Sequence, residues 1–189
     1  MGNRRVGRKR LYELEKAGQS VDLEAGPGIV DAIKSASQHR NGQEIITEIA
    51  VDLGTSKEDI SSATHDRDPI GIVSGGASYI TQLTQAKYGI ITEIRVVCVE
   101  AAQTLADLDL EFGTDGDGVN DTPDGTAPTS IATNICATAG SDISVEYDNG
   151  STLADQYLYI CNGSGDTPDV FTHGKLLIYI HGFEVPADL

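Results

Sequence analysis

Residues 107–112, Asp107-Leu108-Asp109-Leu110-Glu111-Phe112, alternate acidic and apolar side chains without a break. A period of two marks a strand, because successive side chains leave opposite faces of a sheet. This stretch predicts a packed face of Leu108, Leu110 and Phe112 and a wet face of Asp107, Asp109 and Glu111. Antiparallel sheets allow that division, since one of their faces can meet water. The period recurs in both directions along the chain. In 44–53, Ile45, Ile49, Val51 and Leu53 alternate with Glu44, Glu48, Ala50 and Asp52. In 143–147, Ile143, Val145 and Tyr147 alternate with Ser144 and Glu146.

Three other runs are apolar at both parities: 89–99 (GIITEIRVVCV), 156–161 (QYLYIC) and 174–185 (GKLLIYIHGFEV). Such runs suit strands in the middle of a sheet. Weaker strands are expected at 70–83 and 130–138. Trp is absent and Phe occurs three times, so Ile, Leu and Val must build the core, which favours sheets. About eight strands separated by Gly, Asp, Asn, Ser and Pro turns predict an all-β, antiparallel β-sandwich of jelly-roll type over residues 42–189. An immunoglobulin-like or other strand order stays open.

The N-terminal part reads differently. Residues 1–10 (MGNRRVGRKR) are basic and hold almost nothing to bury, which predicts an extended arm. Residues 11–17 (LYELEKA) predict a short helix ended by Gly18. Pro27 opens a second helical candidate with Ile29, Val30 and Ile33 on its apolar side, ending near Asn41-Gly42. Residues 1–41 therefore read as an arm and helical tether ahead of the body.

Charge divides at the same place. The whole chain carries −16. Residues 1–41 hold eight Lys/Arg against five acids, and the rest of the chain holds five against 24. The acidic body repels nucleic acid and anionic membranes, so only the arm can attract them. Its basic cluster could be a solvated tail, a phosphate contact or a dock for an acidic protein surface. Five cations without interleaved aromatics favour the protein partner over nucleic acid. The partner-binding candidates are Arg4, Arg5, Arg8, Lys9, Arg10, Leu11 and Tyr12. No apolar segment follows the basic start, so no signal peptide is expected. The longest uncharged stretch, 69–86, is rich in Gly, Ser, Thr and Gln and predicts no membrane span. Cys98, Cys136 and Cys161 sit in apolar runs with no paired spacing, which predicts buried, reduced thiols and a reducing compartment.

Signals for chemistry are sparse. There is no G-x-S-x-G, no P-loop and no H-E-x-x-H. His39, His65, His173 and His181 share no ligand spacing. The expectation is a protein that is not an enzyme. One loop stands out, 114–124 (TDGDGVNDTPD). Closely spaced carboxylates on a Gly-flexible loop can supply the oxygens that Ca²⁺ wants. The loop resembles the Asp-rich calcium loops of thrombospondin type 3 repeats: Asp115, Asp117, Asp121 and Asp124 match acidic positions and Gly118 the glycine, while the first acidic position falls on Gly113. Ca²⁺ is thus the one cofactor the chain would take, and the other reading is an acidic turn between strands.

The opening MGNRRVGRKRLYELEKAGQ, residues 88–100 (YGIITEIRVVCVE) with 107–114 (DLDLEFGT), and 155–160 (DQYLYI) with 171–178 (FTHGKLLI) resemble small structural proteins of tailed bacteriophages, especially marine and cyanobacterial ones. Some of those are capsid decoration (cement) proteins. The resemblance implies a virion component assembled in the host cytoplasm, a homo-oligomer with a trimer as the expected form, and the major capsid protein as partner. It carries no catalytic residues. A tail, fibre or head-completion part is the related alternative, and a Ca²⁺- or carbohydrate-binding sandwich module the alternative from another class.

Overall fold

The computed structural model describes residues 18–54, 69–71, 77–102, 107–113, 129–147, 153–163 and 171–184. The arm with Arg4, Arg5, Arg8, Lys9, Arg10, Leu11 and Tyr12, the 11–17 helix, and the loop with Asp115, Asp117, Asp121 and Asp124 lie outside the described residues.

The period-two stretches form two antiparallel sheets. The larger runs β1 (Gln19–Ser20), β2 (Ile33–Asn41), β3 (Glu44–Asp52), β10 (Lys175–Phe183), β5 (Ile90–Glu100) and β8 (Asp142–Glu146), in that spatial order. The smaller runs β4 (Thr81–Leu83), β9 (Gln156–Asn162), β6 (Leu108–Gly113) and β7 (Thr129–Ala132). From β3 onward every connection except β6 to β7 crosses between sheets. The orders 3-10-5-8 and 4-9-6-7 are those of two interleaved Greek keys, so among the described residues the sandwich is an eight-stranded jelly roll with two added N-terminal strands, β1 and β2. The three runs apolar at both parities became β5, β9 and β10, each flanked by a strand on both sides.

The inner faces supply one core. Ile49 and Val51 of β3, Leu176, Ile178 and Ile180 of β10, and Ile94 and Val96 of β5 oppose Leu108 and Leu110 of β6 and Leu158 and Ile160 of β9. All are at most 2% exposed. Each such side chain stabilises by about 1.5–3 kcal/mol through burial. At Gly182 of β10 a side chain would run into the Tyr88 carbonyl, so glycine is what lets helix α1 (Gln85–Tyr88) lie against the sheet.

Residues 27–41 depart from the helical expectation. Only Val30–Ala32 form a turn of 3₁₀ helix, and Ile33–Asn41 are strand β2, paired along its length with β3. Asn41 pairs with Glu44 across a two-residue loop in which Gly42 takes φ +64°. A glycine with positive φ at the first central position suits the hairpin turns that match strand twist. The Asn-Gly signal that looked like a helix stop is the hinge of a hairpin.

The segment before β2 is body rather than tether. Gly26 and Gly28 donate to the Tyr79 and Ala77 carbonyls beside the smaller sheet (2.8 and 3.0 Å), while β1 pairs with β2 in the larger one. Leu23, Ile29 and Ala32 are buried between them. A buried relay fixes this corner: the Thr81 hydroxyl lies 2.8 Å from the Tyr88 hydroxyl and donates to the Leu23 carbonyl at 2.9 Å. Burial raises the Tyr88 phenol well above its ordinary pKa.

Two further expectations need correction. The strand at 130–138 stops at Ala132, and 133–141 turn back, with Asn134 at φ +55°. The acidic face of β6 is not wet. Glu111 is 0% and Asp109 7% exposed, and Asp109 accepts the Asn134 N–H at 3.0 Å.

Candidate functional site

Alternation leaves the larger sheet a second face, turned away from the core. Its centre is apolar. Cross-strand pairing sets Ala50 of β3, Leu177 of β10 and Val97 of β5 in one row, with Val99 two residues further along β5. The first three are half-buried in the monomer and Val99 is 53% exposed. At the far end of β10, Phe183 pairs with Ile90, and these are 46% and 42% exposed. Among the described residues, three of the four exposed large hydrophobic residues therefore belong to this sheet face or its end; the fourth is Val30.

Charged and polar rows border the apolar one. On one side Glu48, Tyr179, Arg95 and Ser144 run across β3, β10, β5 and β8. Arg95 makes a two-pronged ion pair with Asp142, with Nε–Oδ1 at 2.7 Å, and its guanidinium lies 5.8 Å from the centre of the Tyr179 ring. The fork geometry matches a carboxylate, and the ring face attracts a cation. Beyond it runs a row of His39, Ile46, His181, Glu93 and Glu146, in which the Ser144 hydroxyl donates to Glu93. On the other side Lys175 pairs with Glu100. The Arg95 and Lys175 hydrogen bonds hold the Asp142 and Glu100 carboxyls below their ordinary pKa.

Each predicted site residue has a definite standing. The seven arm residues and the four Asp of the 114–124 loop fall outside the described residues, so neither candidate gains a geometry. Among the described residues no group of three or more His, Cys, Asp or Glu could hold a metal ion. His181 is a half-buried residue of the outer face, set between Ile46 and Glu93. A shallow groove of about 210 Å³ lies between 21–25 and β2, lined by Val21, Leu23, Ala25, Val30, Ile33 and Ala36. Among the described residues no helix is long and apolar enough to cross a membrane.

The outer face was missed as a site, although its signal was present. Runs apolar at both parities point to central strands, and they carry a second apolar row as well. In a two-layer sandwich only one face of each sheet meets the other sheet, so the second apolar parity of β5 and β10 must face outward. No protein-family model and no curated protein matches the chain.

Proposed function

We propose that this chain is a virion structural protein of the capsid-decoration type, without catalytic activity. It oligomerises through the outer face of its larger sheet, and its basic N-terminal arm anchors it to the major capsid protein. The observation that carries the reading is the apolar row of Ala50, Leu177 and Val97 bordered by paired charges. An apolar centre with a polar rim is the usual anatomy of a protein–protein interface. The rim pairs give register, and they repel a partner whose charges do not match.

The charge division supports the second half of the reading. An arm holding Arg4, Arg5, Arg8, Lys9 and Arg10 offers complementarity to an acidic shell, while the acidic body keeps copies from adhering indiscriminately. Ordering such an arm costs entropy on binding, and a trimer presenting three arms offsets that cost through avidity. The chain needs neither nucleic acid nor a membrane for this role.

Leu177→Asp tests the interface. The side chain is half-buried on the outer face, so the monomer should unfold at nearly the same temperature while light scattering reports loss of the oligomer. An unchanged mass for the variant, or a monomeric wild type, overturns the interface. Deleting residues 1–10 should leave the oligomer intact and abolish attachment to capsid shells. Undiminished attachment overturns the anchor.

A further inference from the structure

We infer that Cys98 and Cys136 form a latent disulfide site, in which a hydroperoxide-class oxidant joins the two thiols and ties β5 to the loop that follows β7. The inference rests on their geometry and is independent of the proposed function. The sulfurs lie 3.5 Å apart, with both residues buried at 1% and 0% exposure. The Cys136 thiol donates to the Glu100 carbonyl at 3.2 Å, which holds it beside the end of β5.

The backbones on either side are fixed to each other. Cys98 N–H donates to the Ser141 carbonyl (2.9 Å), Gly140 N–H to the Cys98 carbonyl (2.7 Å) and Ala102 N–H to the Cys136 carbonyl (2.9 Å). These bonds hold the two segments side by side, and the sulfurs have about 1.5 Å to close to bonding distance, about 2.05 Å. The third thiol cannot compete, since Cys161 sits on β9 in the smaller sheet, across the ladder from Asp109.

Access sets the conditions. Residues 133, 134, 137 and 138 around Cys136 are exposed, so the cover is thin and a local opening of the 133–141 loop admits a small oxidant. Burial and the neighbouring Cys98 push the Cys136 thiol up to about 12. The reactive species is the thiolate, so the pair stays reduced in a reducing compartment and oxidises slowly outside it. Hydrogen peroxide has the required size. One thiolate attacks an oxygen of the O–O bond, forming a sulfenic acid and releasing hydroxide, which takes up the proton that the thiol lost. The second thiolate then attacks the sulfenic sulfur and expels its hydroxyl. The two thiols lose two electrons and two protons, and one peroxide becomes two waters.

The test treats the native full-length protein with hydrogen peroxide, then alkylates the remaining thiols in denaturant for mass analysis. The expected product has lost two hydrogens, links the peptides containing Cys98 and Cys136, and is alkylated at Cys161 alone. Its formation should quicken as pH rises, and its thermal midpoint should exceed that of the reduced protein by about 5–10 °C. Cys161→Ser should give the same product, and Cys136→Ser should give no intramolecular link. Three alkylated thiols after peroxide, a link through Cys161, or sulfinic acid at Cys136 in place of the link would each overturn the inference. The wild-type product decides the matter even if Cys136→Ser fails to fold.

Discussion

The two sheets turn outer faces of opposite character away from the same core. On the larger sheet the outer side chains of β3, β5, β10 and β8 are half-buried or exposed, and their acids meet cations at the surface: Asp142 with Arg95, Glu100 with Lys175. On the smaller sheet most outer side chains of β6 and β9 are enclosed: Asp109, Glu111, Tyr159 and Cys161 are all below 9% exposure, and Tyr157 near the start of β9 is half-buried. Both faces descend from the same period-two pattern. Alternation therefore decides which residues share a face, and the layer outside the sheet decides whether that face is wet. Carboxylates do not stay buried without partners, so the enclosed acids of β6 are part of the fold while the acids of β5 and β8 are part of its surface.

The sharpest way to break this contrast is a matched pair of tyrosine truncations. Tyr159 of β9 is 0% exposed and packs edge-on to Tyr79, with ring centres 6.4 Å apart. Tyr159→Ala should cost about 3–5 kcal/mol in chemical denaturation, as for other fully buried aromatics. Tyr179→Ala, on the open face of β10, removes a partly exposed ring and its Arg95 contact and should cost about 1 kcal/mol or less. Equal losses would mean that the two outer faces are equally covered.

A second pair applies the same logic to carboxylates. Asp109→Ala leaves the Asn134 N–H without its acceptor in an enclosed site, so about 1–3 kcal/mol should be lost. Glu93→Ala, whose partner Ser144 is exposed, should stay within about 0.5 kcal/mol of wild type. If Asp109→Ala is neutral, the burial of the β6 acids contributes nothing to the fold.

The β6 acids also mark where the sequence stopped being legible. Strand positions, the two-sheet class and the central places of β5, β9 and β10 follow from local periodicity, because a strand's parity and apolar content are written in adjacent residues. Wetness is not local: nothing within Asp107–Phe112 says what lies over it. The hairpin at Asn41-Gly42 failed for a related reason. Ile33–Asn41 (IKSASQHRN) has no alternating apolar face of its own, and it is a strand because β3 offers it an edge. Its Asn-Gly punctuation is compatible with a helix end and a hairpin alike, and tertiary pairing chose the hairpin. The outer face of the larger sheet was half legible, since the second apolar parity of 89–99 and 174–185 was visible and only its direction was missing. The acidic loop and the basic arm stay where the sequence put them, as composition without geometry.

The smallest expected effect concerns the exposed charges and sharpens the contrast through pH. In the folded chain the Asp142 carboxyl is held below its ordinary pKa, chiefly by the Arg95 hydrogen bond, and Glu100 likewise by Lys175. A depressed folded pKa means that the unfolded chain takes up protons first as acid is added. The stabilisation is therefore complete above the ordinary carboxylate pKa, and it is lost as pH falls through the lower folded value. Asp142→Asn removes this linkage at the β5–β8 edge. Wild type should melt slightly above the variant at about pH 6, and the gap should close progressively as pH falls below the ordinary carboxylate range. Added salt should narrow the gap at the higher pH, because both partners of the pair are close to half exposed and open to screening. A gap that persists unchanged into acid would assign the role of Asp142 to packing at the sheet edge rather than to its charge.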